Sequence, residues 1–588
     1  MRRHSARLLA TALSAVLVAA ACGGGSDDAE PAESDDTTEE VADAEGGDDA
    51  ADDGGAGGDD GDEPEPSDDP PPSTAAPLED EDQLTSAGEG GEGAGDGEPT
   101  PGGEITWGLG GDGTGFDTTG AISPGSIRVV NAVADPLVGL DVDANWHPNL
   151  AEALTPNDDF TVWTITLRPG VVFHDGEPVD GAAVAANLQA HKDSPTTGFN
   201  FASVSTITAV DDLTVEVAMS SPWAAFPYQL VGQAGWMVSP STIGQNDTIV
   251  STGPFMLESW TPTDSARVVR NPNYWRADEG LPYLDAINFK FLDDQIVRTQ
   301  AFEAGDIDGF ISPSEADIVD WLDDDSVDVW IGTAGANEAL IMLNTTAPPF
   351  DDVRVRRALA HSLDRQFLID TFRSGLTETA DGPFIPSSKW YAETDYPDYD
   401  PAAAQALVDE YEAEVGPIEF ELRVQPDTAV VEVIEVALTF FADVGIDATI
   451  SEIGVGQTVP LAIADDFQAM SWFQFGAPDP DRDYVFFHSS GGFLNWSNLV
   501  SADIDAGLDQ ARQTDDFDTR YAGYAQFQEA LATEVPMIWI DHLNGIEAAV
   551  TRPELNGIGT SGMFADGTAS LPMTDGSFFA WTGVWLEQ

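Results

Sequence analysis

Asp479, Asp481 and Asp483 stand at alternate positions in "DPDRDY", the spacing with which a calcium loop begins. Such a loop needs glycine at its sixth position and a bidentate glutamate at its twelfth. Tyr484 and Ser490 occupy those places, so no metal site is expected there. Two carboxylates about 5 to 9 Å apart would serve glycoside hydrolysis. With 105 Asp and Glu in 588 residues, however, facing pairs arise from abundance alone. The seven histidines form no HExxH and no close pair, which leaves zinc chemistry without ligands. None of the three lysines, Lys192, Lys290 and Lys389, follows a glycine, so there is no ATPase phosphate loop. The glycine-rich "GLGGDGTG" at 108–115 lacks both that lysine and dinucleotide spacing, and no GxSxG elbow occurs. The chain is expected to need no cofactor and to catalyse nothing. A cell-surface glycoside hydrolase is the remaining enzymatic alternative.

The only cysteine, Cys22, lies outside any such constellation, and no intramolecular disulfide is possible. Ahead of it come Arg2, Arg3 and Arg7, then an apolar run from Leu8 to Ala21. Fourteen residues are too few to cross a hydrocarbon core about 30 Å thick, and the order basic, apolar, small is that of a secretory signal. "LVAAAC" resembles the lipobox of bacterial lipoproteins. By that resemblance residues 1–21 are removed and Cys22 becomes an acylated N-terminus, held to the membrane from outside the cytoplasm. From Gly23 to Gly103 the chain carries 29 acids and no Lys or Arg. Such a segment cannot bury enough apolar surface to order itself, so 22–103 reads as a disordered tether of about 50 Å or more.

The remaining 76 acids face only 19 basic residues, a net charge near −57. That surface repels nucleic acid, which is bound through cations, and it suits a salty medium that screens self-repulsion. At 485 residues, 104–588 is long enough for two or more cores. Period-two runs predict strands in "TVWTITL" (Trp163, Ile165, Leu167 on one face) and "LTVEVAM". A helix is predicted after Asp180, which can cap it, and another through "DDVRVRRALAHSLDRQFLIDTFRSG". In the latter Val355, Leu359, Leu363 and Phe367 recur every four residues, and Gly375 can end it. Its arginines Arg354, Arg356 and Arg357 read as salt bridging to an acidic surface. A third helix carries Tyr521, Tyr524, Gln528 and Leu531 on one stripe before Pro536, and the strand "PMIWI" follows. The mixture argues α/β.

Six blocks, in order, resemble one family. "WTITLRPGVVFHDGEPVDGAAVAANLQ" (163–189), "STGPFMLESW" (251–260), "VVRNPNYW" (268–275), "VRRALAHSLDRQFLI" (355–369), "YDPAAAQALVDEY" (399–411) and "YAQFQEALATEVPMIWI" (524–540) are similar to segments of the solute-binding proteins of peptide and nickel ABC importers. The resemblance covers essentially all of 104–588. It implies a two-lobed periplasmic-binding-protein-like α/β fold, of type II in its large variant, with the ligand cleft between the lobes. Lobe one is placed at 104–336 plus 541–588 with an extra subdomain around 145–240, and lobe two at 337–540. A monomer that captures an extracellular peptide or peptide-like solute and delivers it to a permease driven by a separate ATPase is what the resemblance implies; a sensor built on the same fold is a further alternative.

In peptide-binding relatives the segment matching "SWFQFGAPDPDRDYVFFHSSGGFLNWSN" (471–498) carries an acid that pairs with the ligand's ammonium. Here that place falls near Phe475 or Gly476, and the spacing is one residue longer. Either Asp479 substitutes for it, or the ligand is not an ordinary peptide. Oligosaccharides, opine-like conjugates and metal chelates are carried by relatives of this class and stay open. Trp472, Phe475 and Trp496 are candidates to line the cleft or to pack lobe two. Asp479 is a candidate ligand contact or a helix cap, and Asn344, after the predicted entry strand, could offer its amide.

Overall fold

A computed structural model describes residues 99–587 except 112, 121, 313–317, 319–320, 323, 325, 332–336, 374–376, 455–456, 475–478, 490–493, 544–547, 559–561, 571–572, 575–577 and 580. The signal, Cys22, most of the tether, Phe475, Gly476 and Gly375 lie outside the described residues. Strand Glu104–Leu109 runs parallel to Ala286–Phe291 and to Gly309–Ser312 at the centre of a seven-stranded sheet. The hairpin Phe255–Thr261/Ser265–Arg270 extends one side, and Ala548–Thr551 with Asp328–Ile331 extends the other. Trp107 on the central strand meets Trp581 edge to face at 5.4 Å, which ties the last residues of the chain to the first strand. Aromatic rings packed edge-on like this add to what burial alone contributes.

A four-stranded antiparallel sheet holds a second core. Its order is Ala151–Pro156, Val162–Leu167, Thr214–Met219, Val204–Asp211. Trp163, Ile165 and Leu167 are all buried, as their alternation predicts, while Leu213 lies just outside its strand and stays exposed. Helix Gly181–Asp193 covers the sheet, and the Asp180 carboxylate accepts from the Ala183 amide at 2.8 Å, satisfying one of the free donors at the helix start. This core begins at Leu137 and also buries the hairpin Val138–Leu140/Trp146–Pro148.

The second lobe is built on a six-stranded sheet. Asn337–Leu343 lies between Ala469–Gln474 and Met537–Leu543, and Glu419–Val424 with Asp447–Glu452 completes one side. The chain leaves the first sheet after Ile331 and returns to it at Ala548. Asn337 and Leu543 are register partners, so both crossings start from one point of the second sheet.

Where one helix is predicted through 351–375 there are two, Val353–Ser362 and Arg365–Phe372. Asp364 turns its carboxylate onto the Phe367 amide at 3.0 Å and caps a new helix. That local bond competes with the continuing backbone ladder. The break resets the helical phase, so Val355, Leu359 and Leu363 are buried but Phe367 is not. Two of the three arginines bridge acids as the charge balance suggests. Arg354 bridges Asp352, Glu410 and Glu414, Arg356 bridges Glu534, and Arg357 reaches the Thr533 carbonyl.

Candidate functional site

Helices Ala502–Arg512 and Phe517–Glu534 pack glycine against glycine. A methyl group on Gly523 would lie 2.6 Å from the Gly507 carbonyl oxygen, and one on Gly507 would lie 2.5 Å from that of Gly523. This close approach brings two arginines, one per helix, to the "DPD" segment. Arg520 donates to Asp479 Oδ1 at 2.6 Å and to the Tyr524 hydroxyl at 3.0 Å, and its guanidinium lies over the Trp390 ring at 4.9 Å. Arg512 sits 3.4 Å from Asp481 Oδ1, between the rings of Trp223 (4.4 Å) and Tyr484 (4.0 Å).

Asp479 does two things in the fold. Besides pairing with Arg520, it caps the turn Pro480–Arg482 by accepting from the Asp481 amide at 3.0 Å. Its Oδ2 is buried and has no hydrogen-bond partner among the described residues. Burying such an atom without a partner costs about 1–3 kcal/mol. Tyr228, from the four-stranded subdomain, is close enough that Asp479's charge adds to burial in pushing its phenol above the usual range. Burial pulls the Lys389 ammonium down, and the fields of Asp479, Asp141 and Asp143 oppose it. A carboxylate, a phenol and an ammonium from both lobes thus share one partly desolvated neighbourhood.

Asp483 is the third acid of the segment. Buried, and accepting among the described residues a single 3.5 Å hydrogen bond from Gln474 Nε2, its carboxyl is pushed up to about 7, chiefly by desolvation. An aspartate in the unfolded chain titrates near about 4. Between those values the folded state holds the extra proton, so this group's contribution to stability is full below about pH 4 and is lost as pH rises through about 7. Asp483→Asn is therefore expected to gain on the wild type as pH is raised across that window. Urea midpoints of both proteins at pH 4.5 and 7.5 check it; a constant difference would contradict it.

Of the other sequence-derived candidates, Trp472 and Trp496 are brought together, edge to face at 5.0 Å. Trp472 is half-buried opposite Leu340 on strand Ala469–Gln474, and Trp496 is buried in the second-lobe core. Asn344 is buried; its amide donates to the Phe467 carbonyl, and its oxygen accepts from Thr346 and Asn498, which joins it to the loop holding Trp496. Phe475 is outside the described residues. Sequence reasoning passed over Arg512, Arg520, Lys389, Trp223 and Tyr228. The available signal was rarity: in so acidic a chain, each cation has many possible partners, and a buried one marks a chosen partner.

Comparison with known proteins finds relatives of the chain. Residues 145–495 match the family model described as bacterial extracellular solute-binding proteins, family 5 Middle. The chain belongs to that family. Within family 5, the glutathione-binding protein GsiB of Salmonella paratyphi A is 33% identical over 294 residues, 48% of this chain and 57% of that protein. The chain thus spans little more than half the length of the curated relatives it matches. AgaA from A. tumefaciens R10, solved with agropinic acid, has a TM-score of 0.70 at 22% identity and covers 83% of this chain and 99% of its own. The oligopeptide-binding protein AppA from Bacillus subtilis, solved with a nonapeptide, has a TM-score of 0.66 at 21% identity and covers 84% of this chain and 100% of its own. At those identities the likeness shows a shared two-lobed α/β fold. No helix among the described residues is long and apolar enough to cross a membrane.

Proposed function

We propose that this family 5 protein captures a peptide or peptide-like solute between its lobes and hands it, chemically unchanged, to a membrane permease driven by a separate ATPase. The observation that carries the choice of ligand is Asp479 Oδ2, a buried carboxylate oxygen without a hydrogen-bond partner among the described residues, beside groups from both lobes. A ligand ammonium seated there would satisfy it, and an ammonium buried without such a partner would cost several kcal/mol. The glutathione-binding relative supports a short peptide with a free amine. Trp472 offers an apolar face on the second lobe, and stacking of this kind tolerates variation in the ligand.

The reading includes one lobe at 104–336 plus the chain after 543 and another at 337–543, the second boundary moving from 540 because strand Met537–Leu543 belongs wholly to the second sheet; the two crossings start at Asn337 and Leu543. It also includes a monomer held at the outer face of the membrane through acylated Cys22, on the tether 22–103, with no nucleic-acid partner. The protein performs no catalysis in this account. Native mass spectrometry of the protein purified from its own cells tests it: a non-covalent solute with the mass of a small peptide or conjugate is expected. Recovery of an oligosaccharide that the protein itself cleaves would overturn the reading in favour of a surface hydrolase.

A further inference from the structure

Among the described residues, hydrogen bonds join the subdomain that begins at Leu137 to the second lobe at two places. At the first, Trp223 Nε1 donates to Asp481 Oδ2 at 2.6 Å and the Ala224 amide donates to the Arg512 carbonyl at 2.9 Å. The Arg512 guanidinium is flanked there by Trp223 from one lobe and Tyr484 from the other. At the second, Lys389 Nζ donates to the Asp143 carbonyl at 2.8 Å and to Asn145 Oδ1 at 2.6 Å.

Each place is prepared on one side. The hairpin tip "DVDAN" is folded by its own bonds: Asp141 accepts from the amides of Asp143 and Asn145 and from the Asn145 side chain. This leaves the Asp143 carbonyl and Asn145 Oδ1 as a fixed pair of acceptors, ready for an ammonium. Arg512 and Tyr484 likewise meet within the second lobe, so separation of the lobes removes the Trp223 face, the indole donor and the Ala224 amide but leaves the Arg512–Tyr484 contact in place. A charge-assisted bond to a buried carboxylate is among the stronger contacts a protein makes. Asp481 is almost wholly buried with Trp223 in place, and burial raises its pKa.

We infer that Trp223–Asp481–Arg512 and Lys389–Asp143/Asn145 form an interlobe latch that stabilises the closed form of the protein independently of any solute. A protein that spends part of its time closed presents an assembled site, and apparent affinity scales with the population competent to bind. The latch therefore sets a common factor on affinity, whereas Asp479 and Trp472 act on ligand identity. Its two halves differ in salt response. The Trp223 half is buried and escapes screening, while the partly exposed Lys389 half weakens as salt rises.

This consequence rests on the proposed solute-binding role, but the latch itself is tested without a ligand. Spin labels would be placed on each lobe of the full chain through Ser205→Cys and Glu435→Cys, with Cys22→Ser, and interlobe distances read by double electron–electron resonance. The ligand-free protein is expected to show a populated short distance. Trp223→Phe, which keeps ring packing but removes the donor, is expected to lower the closed-to-open ratio by about tenfold at any salt. Lys389→Met is expected to lower it by about threefold at low salt and little at high salt. Lys389 is only half-buried and Met keeps its aliphatic stem, so its variant remains informative if Trp223→Phe folds poorly. A single long distance in the ligand-free protein, or a distribution unchanged by both variants, would overturn the latch. Neither result would bear on whether peptides bind.

Discussion

Arg520→Met is expected to lower the stability of the folded protein by about 3–5 kcal/mol, read as a shift of the urea midpoint at neutral pH. Methionine fills much of the same space over Trp390 and Tyr524, so the loss is not mainly one of packing. What it removes is the partner of Asp479 Oδ1, whose side chain is only 1% exposed. Asp479 Oδ2 already lacks a partner among the described residues, so the variant leaves the carboxylate with little but the Asp481 amide. Removing the acid as well separates lost attraction from stranded charge. Asp479→Leu combined with Arg520→Met is expected to recover part of the loss, because a buried pair replaced by apolar groups is often close to neutral. Equal losses in the single and double variants would show that the pair is not the source.

The second large effect comes from a residue with no charge. Gly523→Val is expected to cost about 3 kcal/mol or more, since the new side chain meets the Gly507 carbonyl oxygen and the Ala511 amide on the facing helix. Valine is the better helix former by a few tenths of a kcal/mol, which is too little to offset a clash with backbone. Pushing the helices apart also draws Arg512 and Arg520 away from Asp481 and Asp479. Thermal unfolding is the simplest check, and an unchanged or raised midpoint would mean that the two helices can separate freely.

How much of this was legible in the residues varies with the range of the force involved. Alternation at Trp163, Ile165 and Leu167 is local, and it names the buried face of its strand correctly. The cap at Asp180 is equally local. The four-residue recurrence through Phe367 is local too, yet Asp364 supplies a competing bond that a hydrophobic count does not weigh. The six ordered blocks identify the family, and the family model confirms that membership over 145–495. Site partners are another matter. Trp223 and Asp481 are 258 residues apart, and no pattern in either neighbourhood names the other. Residue type leaves Asp479 open between a cap and a contact. The structure uses one of its oxygens for the cap and the arginine, and the other has no hydrogen-bond partner among the described residues. The packing of Gly507 on Gly523 has no signature beyond two small residues in long helices, though it decides where both arginines point.

Titration calorimetry of the folded protein with glutathione and trialanine, each also in an N-acetylated form, tests the central claim most directly. At least one free-amine peptide is expected to bind with a negative heat-capacity change, as burial of apolar surface between lobes requires. Its acetylated form is expected to bind far more weakly, and Asp479→Asn is expected to erase most of that difference. Equal binding of free and acetylated peptides, or no heat from any of them at millimolar concentration, would contradict the account.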